Sequence, residues 1–397
     1  MKPVEIAKNI YWVGALDWNV RDFHGYTTYK GTTYNAYLVV DEKTALFDAV
    51  KEPFKSDLIQ NIRQVLGPRG IDYLIVNHVE PDHSSSLPDL MKVVNPGKIF
   101  CTSMGRNTLL DHYHREDWPY EVVKSGQTMN LGHRTVKFIE TRMLHWPDAM
   151  FSYLEEDRLL ISSDAFGQHW CTSERFADEV EQSELMKHAA KYYANILLLY
   201  SPLVKKLIET VTKMGLKIDT IAPDHGLIWR ESPLRIIDAY DAWSGQKPRR
   251  KALIIYDTMW HSTEKMARAI SQGLAEEKIS VQLLDLKTNH RSDIVTEVLD
   301  AGALIFGSAT LNNGMLPTMA DMLHYLRGLR PQNKIGAAFG SFGWSGEAVG
   351  LINQAMEEMK IKVVDPGIKV KFFPRQEDLK ICEELGKKVG KVLKEET

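Results

Sequence analysis

The 397-residue chain is poor in cysteine: it has three, Cys101, Cys171 and Cys382, far apart and odd in number. They make neither a disulfide framework nor a CxxC metal or redox motif, which suits a reducing, cytoplasmic setting. An excess of one charge is also missing. Lys and Arg number 49 and Asp and Glu 52, a formal charge of −3, so nothing suggests a nucleic-acid-binding or polyanion-seeking surface. Long apolar runs are absent too: stretches such as Ile196 to Tyr200 fall far short of the ~18 residues of a membrane span. The opening Met1-Lys2-Pro3-Val4-Glu5 lacks the apolar region of a signal peptide. No internal repeat and no low-complexity tract occurs. What is there is an ordinary globular composition, 44% hydrophobic and 25% charged, on a chain long enough for two domains of ~100–200 residues. One surplus stands out: 13 His, several of them beside carboxylates.

Ala242 to Lys251, with Gly245, Pro248 and a short basic run, reads as the seam, dividing the chain into 1–248 and 249–397. Beyond it, apolar runs at 252–256, 281–286, 303–307, 335–339 and 361–364 alternate with amphipathic stretches. In one of these, Met266, Ile270 and Leu274 recur four apart on a helix face. This alternation predicts a doubly wound parallel sheet of five strands with helices on both faces. The first half reads differently. Short consecutive strands are expected at 10–13, 34–40 and 44–48, and helices at about 54–66 and 185–212, giving mixed sheets covered by helices. A charged helix is expected at 378–396.

The strongest chemical signal follows the apolar strand Tyr73 to Asn77. It reads His78-Val79-Glu80-Pro81-Asp82-His83, four potential ligands within six residues. Packing imidazoles and carboxylates together at the end of a buried strand is costly unless a cation compensates them. His145, Asp164 and His225 lie further along, the last two also at ends of apolar runs. Taken singly, a His or Asp in such a place is usually a hydrogen-bonded structural residue; the complete set points to a metal centre.

In the second half, Thr258-Met259-Trp260-His261-Ser262-Thr263 follows the first strand and opens a helix. Hydroxyls and free N–H groups at a helix start suit a phosphate. The absence of GxGxxG and GxxxxGK[ST] disfavours a dinucleotide and a nucleoside triphosphate, and hydroxyls in place of a Lys suggest a terminal monophosphate. Two more strand-end loops complete a pocket. One runs Ser308, Ala309, Thr310, Leu311, Asn312, Asn313, Gly314, and the other contains Ser341, Phe342, Gly343, Trp344 and Gly346. Their glycines allow close backbone approach, and Trp344 can lie against a flat ring.

The HxExDH motif with its distant His, Asp and His resembles the metallo-β-lactamase superfamily over roughly residues 1–248. Glu80 stands where the zinc enzymes carry a second His, and this harder, more anionic set favours iron. The second half resembles flavodoxin, with a variant phosphate loop and Ala309 where related loops often carry Pro. A lactamase-like unit with this ligand set joined to a flavodoxin-like unit resembles the flavodiiron proteins (A-type flavoproteins) along essentially the whole chain.

The resemblance implies an α/β chain: an N-terminal metallo-β-lactamase-like αββα sandwich and a C-terminal flavodoxin-like doubly wound parallel sheet. It implies two non-haem irons, one held by His78, Glu80 and His145 and the other by Asp82, His83 and His225, bridged by Asp164, with FMN in the second unit. His83 is the ligand that varies within the family. His24 and Tyr26, with an aromatic such as Tyr193 on the Lys191-Tyr192-Tyr193 segment, are implied proton donors. His169 is expected beside Asp164, Trp146 along the electron route, and His112 and His114 at the surface. The implied activity is reduction of O2 to water, of NO to N2O, or both. Since no CxxC module and no NAD(P)H fingerprint occurs in the chain, electrons are expected from outside, from rubredoxin or F420H2. A head-to-tail homodimer or dimer of dimers is implied, with no nucleic acid and no membrane. Two readings from other classes stay open: a zinc-dependent hydrolase of the lactamase superfamily, and a flavin electron carrier or gas sensor without turnover.

Overall fold

The computed structural model describes residues 2–397. Its contacts divide the chain into two units. One comprises the residues up to Tyr193 together with Pro202–Asp241; the other comprises Ala194–Ser201 together with Ala242–Thr397.

The first unit is built on two mixed sheets. The larger has seven strands in the order Val4–Ala7, Ile10–Trp12, Tyr37–Val40, Thr44–Phe47, Tyr73–Ile75, Lys98–Cys101, Tyr120–Val122. Its first four strands are antiparallel and the rest join in parallel. The smaller has five strands, Thr128–Asn130, Thr135–Glu140, Met150–Leu154, Leu159–Ile161 and Thr220–Ala222. The period-two alternation of strands sorts the side chains into layers. Tyr37, Val39, Ala45, Phe47 and Ile75 face Phe138, Met150, Leu154 and Ile161 between the sheets. Leu38, Leu46, Leu74 and Ile99 point the other way, onto Leu58, Ile62, Leu66 and Leu90 of the covering helices. This is the expected sandwich. It also explains why these strands read as continuous apolar runs: both faces are buried.

The long helix expected over 185–212 is interrupted. Gln182–Tyr192 runs into a π-turn at Tyr193–Leu197 and a short 3-10 turn, and a new helix, Ser201–Lys213, begins with Pro202 in its first turn. Proline has no N–H to donate and fits a helix only at its start, so the break falls where the sequence places it. The strip Ala194–Ser201 belongs to the second unit. There Asn195 Nδ2 donates to Ser292 O at 3.1 Å and its Oδ1 accepts from Tyr325 Oη at 2.7 Å.

The second unit is a parallel sheet in the order Ser280–Asp285, Arg249–Tyr256, Ala301–Gly307, Ile335–Phe342, Lys362–Val363, with Ile368–Lys371 also pairing with Ile335–Phe342. It thus has six strands where five were expected, because the last segment pairs in two pieces along one strand. The helices Ser262–Glu276 and Gln376–Glu396 pack so closely that a Cβ on Gly273 would lie 1.9 Å from Glu383 O, and one on Gly386 2.1 Å from Ile270 O. Among the described residues, no helix is long and apolar enough to cross a membrane.

Candidate metal centre and flavin pocket

Strand Tyr73–Ile75 is paired on both sides, so the chain can only leave it at the sheet's end. It does so as an extended segment, Asn77 to Glu80, that stops in the single turn Pro81–Ser84. Backbone donors fix that segment before any ligand is considered. Asp48 accepts from Asn77 N at 2.7 Å, Asn77 Nδ2 at 2.6 Å and His78 N at 3.3 Å. Asp148 Oδ2 accepts from Val79 N at 2.7 Å and lies 3.1 Å from His78 Nδ1. Burial pushes the Asp48 carboxyl up to about 6 even against these hydrogen bonds.

The second sheet supplies the remaining groups. His145 precedes the strand Met150–Leu154, Asp164 follows Leu159–Ile161, and His225 follows Thr220–Ala222. Two constellations result, one on each oxygen of Asp164. Asp164 Oδ2 lies 2.8 Å from His145 Nε2 and 3.4 Å from His78 Nε2. Both of these nitrogens also meet Glu80 Oε2, at 3.0 and 3.2 Å. Asp164 Oδ1 lies 3.2 Å from His83 Nε2 and 3.4 Å from His225 Nε2. These in turn meet Asp82 Oδ2, at 3.2 and 3.1 Å.

The donor atoms fit metal better than they fit one another. In the second constellation both Asp82 oxygens, both His83 nitrogens and Asp164 Oδ1 are buried without a properly directed hydrogen bond. Three carboxylates in a space closed to water require positive charge. Without metal, protons supply it. Burial alone would depress the imidazoles, but Asp82 and Asp164 lift His83 to about 10, and Asp164 and Glu80 lift His145 to about 9. Burial likewise opposes ionisation of Glu80, yet His145, His24 and His78 hold it well below the usual carboxylate range. Divalent cations replace such protons directly, and a mixed imidazole–carboxylate set suits iron.

Behind the ligand atoms lies a frame that sequence reading missed. His225 Nδ1 donates to Thr33 O at 2.6 Å, which leaves Nε2 to face the centre. Asn35 Nδ2 donates to Pro223 O at 2.7 Å and Gly226 O at 3.0 Å, bracketing His225. Its Oδ1 accepts from Trp12 Nε1 at 2.8 Å. Gly226, at φ +81°, could carry no Cβ, because that atom would sit 2.3 Å from Gln168 O. Asp48, Asp148 and Asp224 are fully or almost fully buried, and Asp224 offers a carboxylate oxygen within 4.8 Å of donors on His83 and Asp164. The available signal was position: Asp48 ends a strand, and Asp148 sits three residues after His145.

The weaker sequence candidates divide. His24 and Gly25, at φ +53° and +77°, form the tight turn between Asp22–Phe23 and Tyr26–Thr27. That turn presents His24 Nε2 2.5 Å from Glu80 Oε1, with the ring 39% exposed. Tyr26 is buried, its ring 5.3 Å from that of His169. Tyr193 packs on Tyr240, 4.9 Å away, whereas the neighbouring Tyr192 meets His169 at 5.0 Å and His225 at 6.1 Å. The helix turns consecutive residues by 100°, so only one of the pair can face the imidazoles. His169 Nδ1 lies 2.6 Å from Thr32 Oγ1, its ring stands 4.7 Å from that of His225, and burial holds its pKa well down. Trp146 stands edge-on to His78 at 5.2 Å. His112 and His114 are exposed.

In the second unit, the Thr258 to His261 segment leads into the helix Ser262–Glu276. His261, at φ +62°, offers no side-chain cap to that helix. The Thr258 hydroxyl is buried without a partner, and Thr263 Oγ1 lies 3.1 Å from Ser341 Oγ. Above them opens a cavity of about 530 Å³ lined by Met259, Trp260, Ser262, Ala309, Thr310, Asn312, Asn313, Ser341, Phe342, Gly343 and Trp344. Ser345, Phe372 and Phe373, absent from the sequence-based set, line it too. Size and flat aromatic rim suit a planar ring system. Thr258, His261, Thr263, Ser308, Leu311, Gly314 and Gly346 do not line it. The Ser308 hydroxyl is spent inside its own turn, on Ala309 O and Leu316 N. Leu311 and Gly314 pair across a two-residue hairpin whose tip, Asn312-Asn313, takes left-handed φ values of 47° and 58°.

Fold and site together define a two-unit oxidoreductase, a metal-binding sandwich joined to a flavodoxin-like sheet. Comparison with known proteins agrees. Residues 32–226 match the ODP family beta lactamase model and residues 254–386 the flavodoxin model. The chain is 48% identical over 392 residues to a nitric oxide reductase of Moorella thermoacetica, covering 98% of each. It is 46% identical over 397 residues to a rubredoxin-oxygen oxidoreductase of Megalodesulfovibrio gigas, covering 99% of each. The solved flavodiiron protein of Giardia intestinalis superposes with a TM-score of 0.96 at 36% identity, covering 100% of this chain and 98% of that one. The chain belongs to the flavodiiron protein family. With that family come FMN in the flavodoxin-like unit and a diiron site, for which the described residues offer the donor clusters.

Proposed function

We propose that this chain reduces O2 to water, NO to N2O, or both, at the diiron site, with electrons passed through FMN from an external donor. In this reading His78, Glu80 and His145 hold one iron, Asp82, His83 and His225 the other, and Asp164 bridges them. The observation that carries it is the division of Asp164: one oxygen faces each constellation. The His83 Nε2 contacts with Asp82 and Asp164 support its inclusion as a ligand. When bound, two adjacent irons supply paired one-electron redox changes and neighbouring positions for a diatomic molecule.

The chain's own residues do the rest. Both reactions consume protons as well as electrons. His24 touches Glu80 with one edge and is open to solvent on the other, so it can carry a proton at Nε2 to the centre. Buried Tyr26, Tyr192 and His169 close the adjoining side and keep bulk water out. Trp260, Trp344, Phe372 and Phe373 are exposed at the flavin cavity, which supports an interface there. We assign it to a head-to-tail homodimer in which FMN of one subunit serves the irons of the other, with Trp146 on the route. Rubredoxin is the preferred donor, as the name of the Megalodesulfovibrio relative states for that protein, with F420H2 the alternative. The three free, buried thiols suit the cytoplasm.

The test is anaerobic stopped-flow of the fully reduced protein against O2 and NO separately. Flavin and iron reoxidation within the enzyme's turnover time is expected for at least one gas. Absence of consumption of either by iron- and FMN-loaded protein, or isolation with zinc and no flavin, overturns the reading.

A further inference from the structure

The phosphate loop of the second unit lacks a cation of its own. Between Thr258 and Thr263 the only basic side chain is His261, and it is tied to Glu264 at 2.8 Å. Arg268 is tied to the same carboxylate at 2.7 Å. A flavin phosphate brings a charge of about −1.5 to −2. Directly beneath the loop, moreover, sits a buried carboxylate, Asp257, which repels that charge unless something offsets it.

What offsets it comes from a different strand. Lys287, just after Ser280–Asp285, places Nζ 3.2 Å from Asp257 Oδ1 and donates to Thr258 O. Thr318, in the first turn of the helix Pro317–Leu329, donates its hydroxyl to Asp257 Oδ2. Asp257 Oδ1 accepts in addition from Thr258 N at 2.6 Å. Three segments distant in sequence therefore converge behind one peptide. In a trans peptide C=O and N–H point opposite ways. A cation bonded to Thr258 O therefore polarises the Thr258–Met259 peptide and turns the Met259 N–H away from itself. Met259 lines the flavin cavity.

We propose that Lys287 is the positioning cation of the phosphate site. Acting from behind the loop through Asp257 and the Thr258 carbonyl, it selects flavin with a 5′-phosphate over flavin without one. The proposal rests on the reading of this cavity as the FMN site. A positive charge that works through the loop strengthens the phosphate contact and leaves the ring contacts alone, so its loss separates FMN from riboflavin.

The test is flavin-fluorescence titration of the full-length protein, stripped of flavin, with FMN and with riboflavin. Lys287→Met is expected to weaken FMN about tenfold, the scale of one charge-assisted hydrogen bond, while riboflavin affinity changes less than about twofold on the same scale. Lys287→Arg should restore most of the FMN affinity, and added salt should shrink the difference between Lys287→Met and wild type. Thr318→Val should shift FMN in the same direction by less. Equal FMN affinity in Lys287→Met and wild type, or parallel loss of FMN and riboflavin without rescue by Arg, overturns the proposal alone. Failure of wild type to bind FMN overturns the reading of the cavity, and the proposal with it.

Discussion

The two units solve the problem of holding charge in opposite ways. In the metal-binding unit, charge is carried by side chains: three carboxylates and four imidazoles converge from two sheets into a closed space. In the flavin unit, charge is met by backbone: a loop and a helix start face the cavity, and Lys287 stands behind a peptide of that loop. The first arrangement is costly until its ion arrives; the second packs no cluster of like charges and depends less on its ligand. The metal site should therefore report its state through stability and protons, and the flavin site through binding constants.

The sharpest way to break this contrast is Asp164→Asn. Loss of the shared carboxylate should lower binuclear iron occupancy and turnover by on the order of 10² or more, while FMN binding stays as in wild type. Iron analysis beside flavin absorbance checks both halves at once. Iron retained at two per chain would remove Asp164 as the bridge.

The second comparison is in pH. In metal-free protein the raised imidazoles, His83 at about 10 and His145 at about 9, stabilise the sandwich fully below their unfolded pKa of about 6.5. That stabilisation is lost as pH rises through 9 to 10. Lys334 in the flavin unit behaves inversely. Burial lowers it to about 8 from 10.5, so its charged form burdens the fold below pH 8. Relief of on the order of 3 kcal/mol accrues between about 8 and 10.5. Calorimetry of the metal-free chain at rising pH should show the two transitions moving in opposite directions, and iron should abolish the first shift only. Transitions that move together would sink the comparison.

Smaller effects test the frames. Asn35→Ala strands Gly226 O and Trp12 Nε1, while Pro223 O keeps its bond from Tyr37 Oη. It should cost about 2 kcal/mol and speed iron loss to a chelator, with no change in flavin affinity. Smallest of all, Lys360→Gly, at φ +61° and away from the cavity, should change stability by under ~1 kcal/mol, leaving FMN affinity within about twofold on the same scale.

Legibility in the sequence followed the same divide. The donor cluster was readable because four donors crowd one strand end and Asp164 and His225 end their own apolar runs. Its frame was not, because Asn35, Thr33 and Asp148 act through hydrogen bonds that no spacing announces. Choosing between Tyr192 and Tyr193 required the helix phase, which a π-turn at that point disturbs, and it is Tyr192 that meets the imidazoles. In the flavin unit the loops were found, but their inward and outward faces were not: Ser308 and Gly314 serve the turn, while Phe372 and Phe373 reach the cavity from a strand that pairs late in the chain.

The strip Ala194–Ser201 bears on how such a molecule can be taken apart or put together. It belongs to the flavodoxin-like unit, yet both flanks of it belong to the other. A cut near residue 248 therefore leaves this strip on the N-terminal piece, away from the unit it contacts. The C-terminal piece would lack Asn195 and its bonds to Ser292 and Tyr325, and the N-terminal piece would carry Ile196, Leu197 and Leu198 with their burial undone. Parting the two units along the chain therefore needs breaks on both sides of the strip as well as one near Ala242.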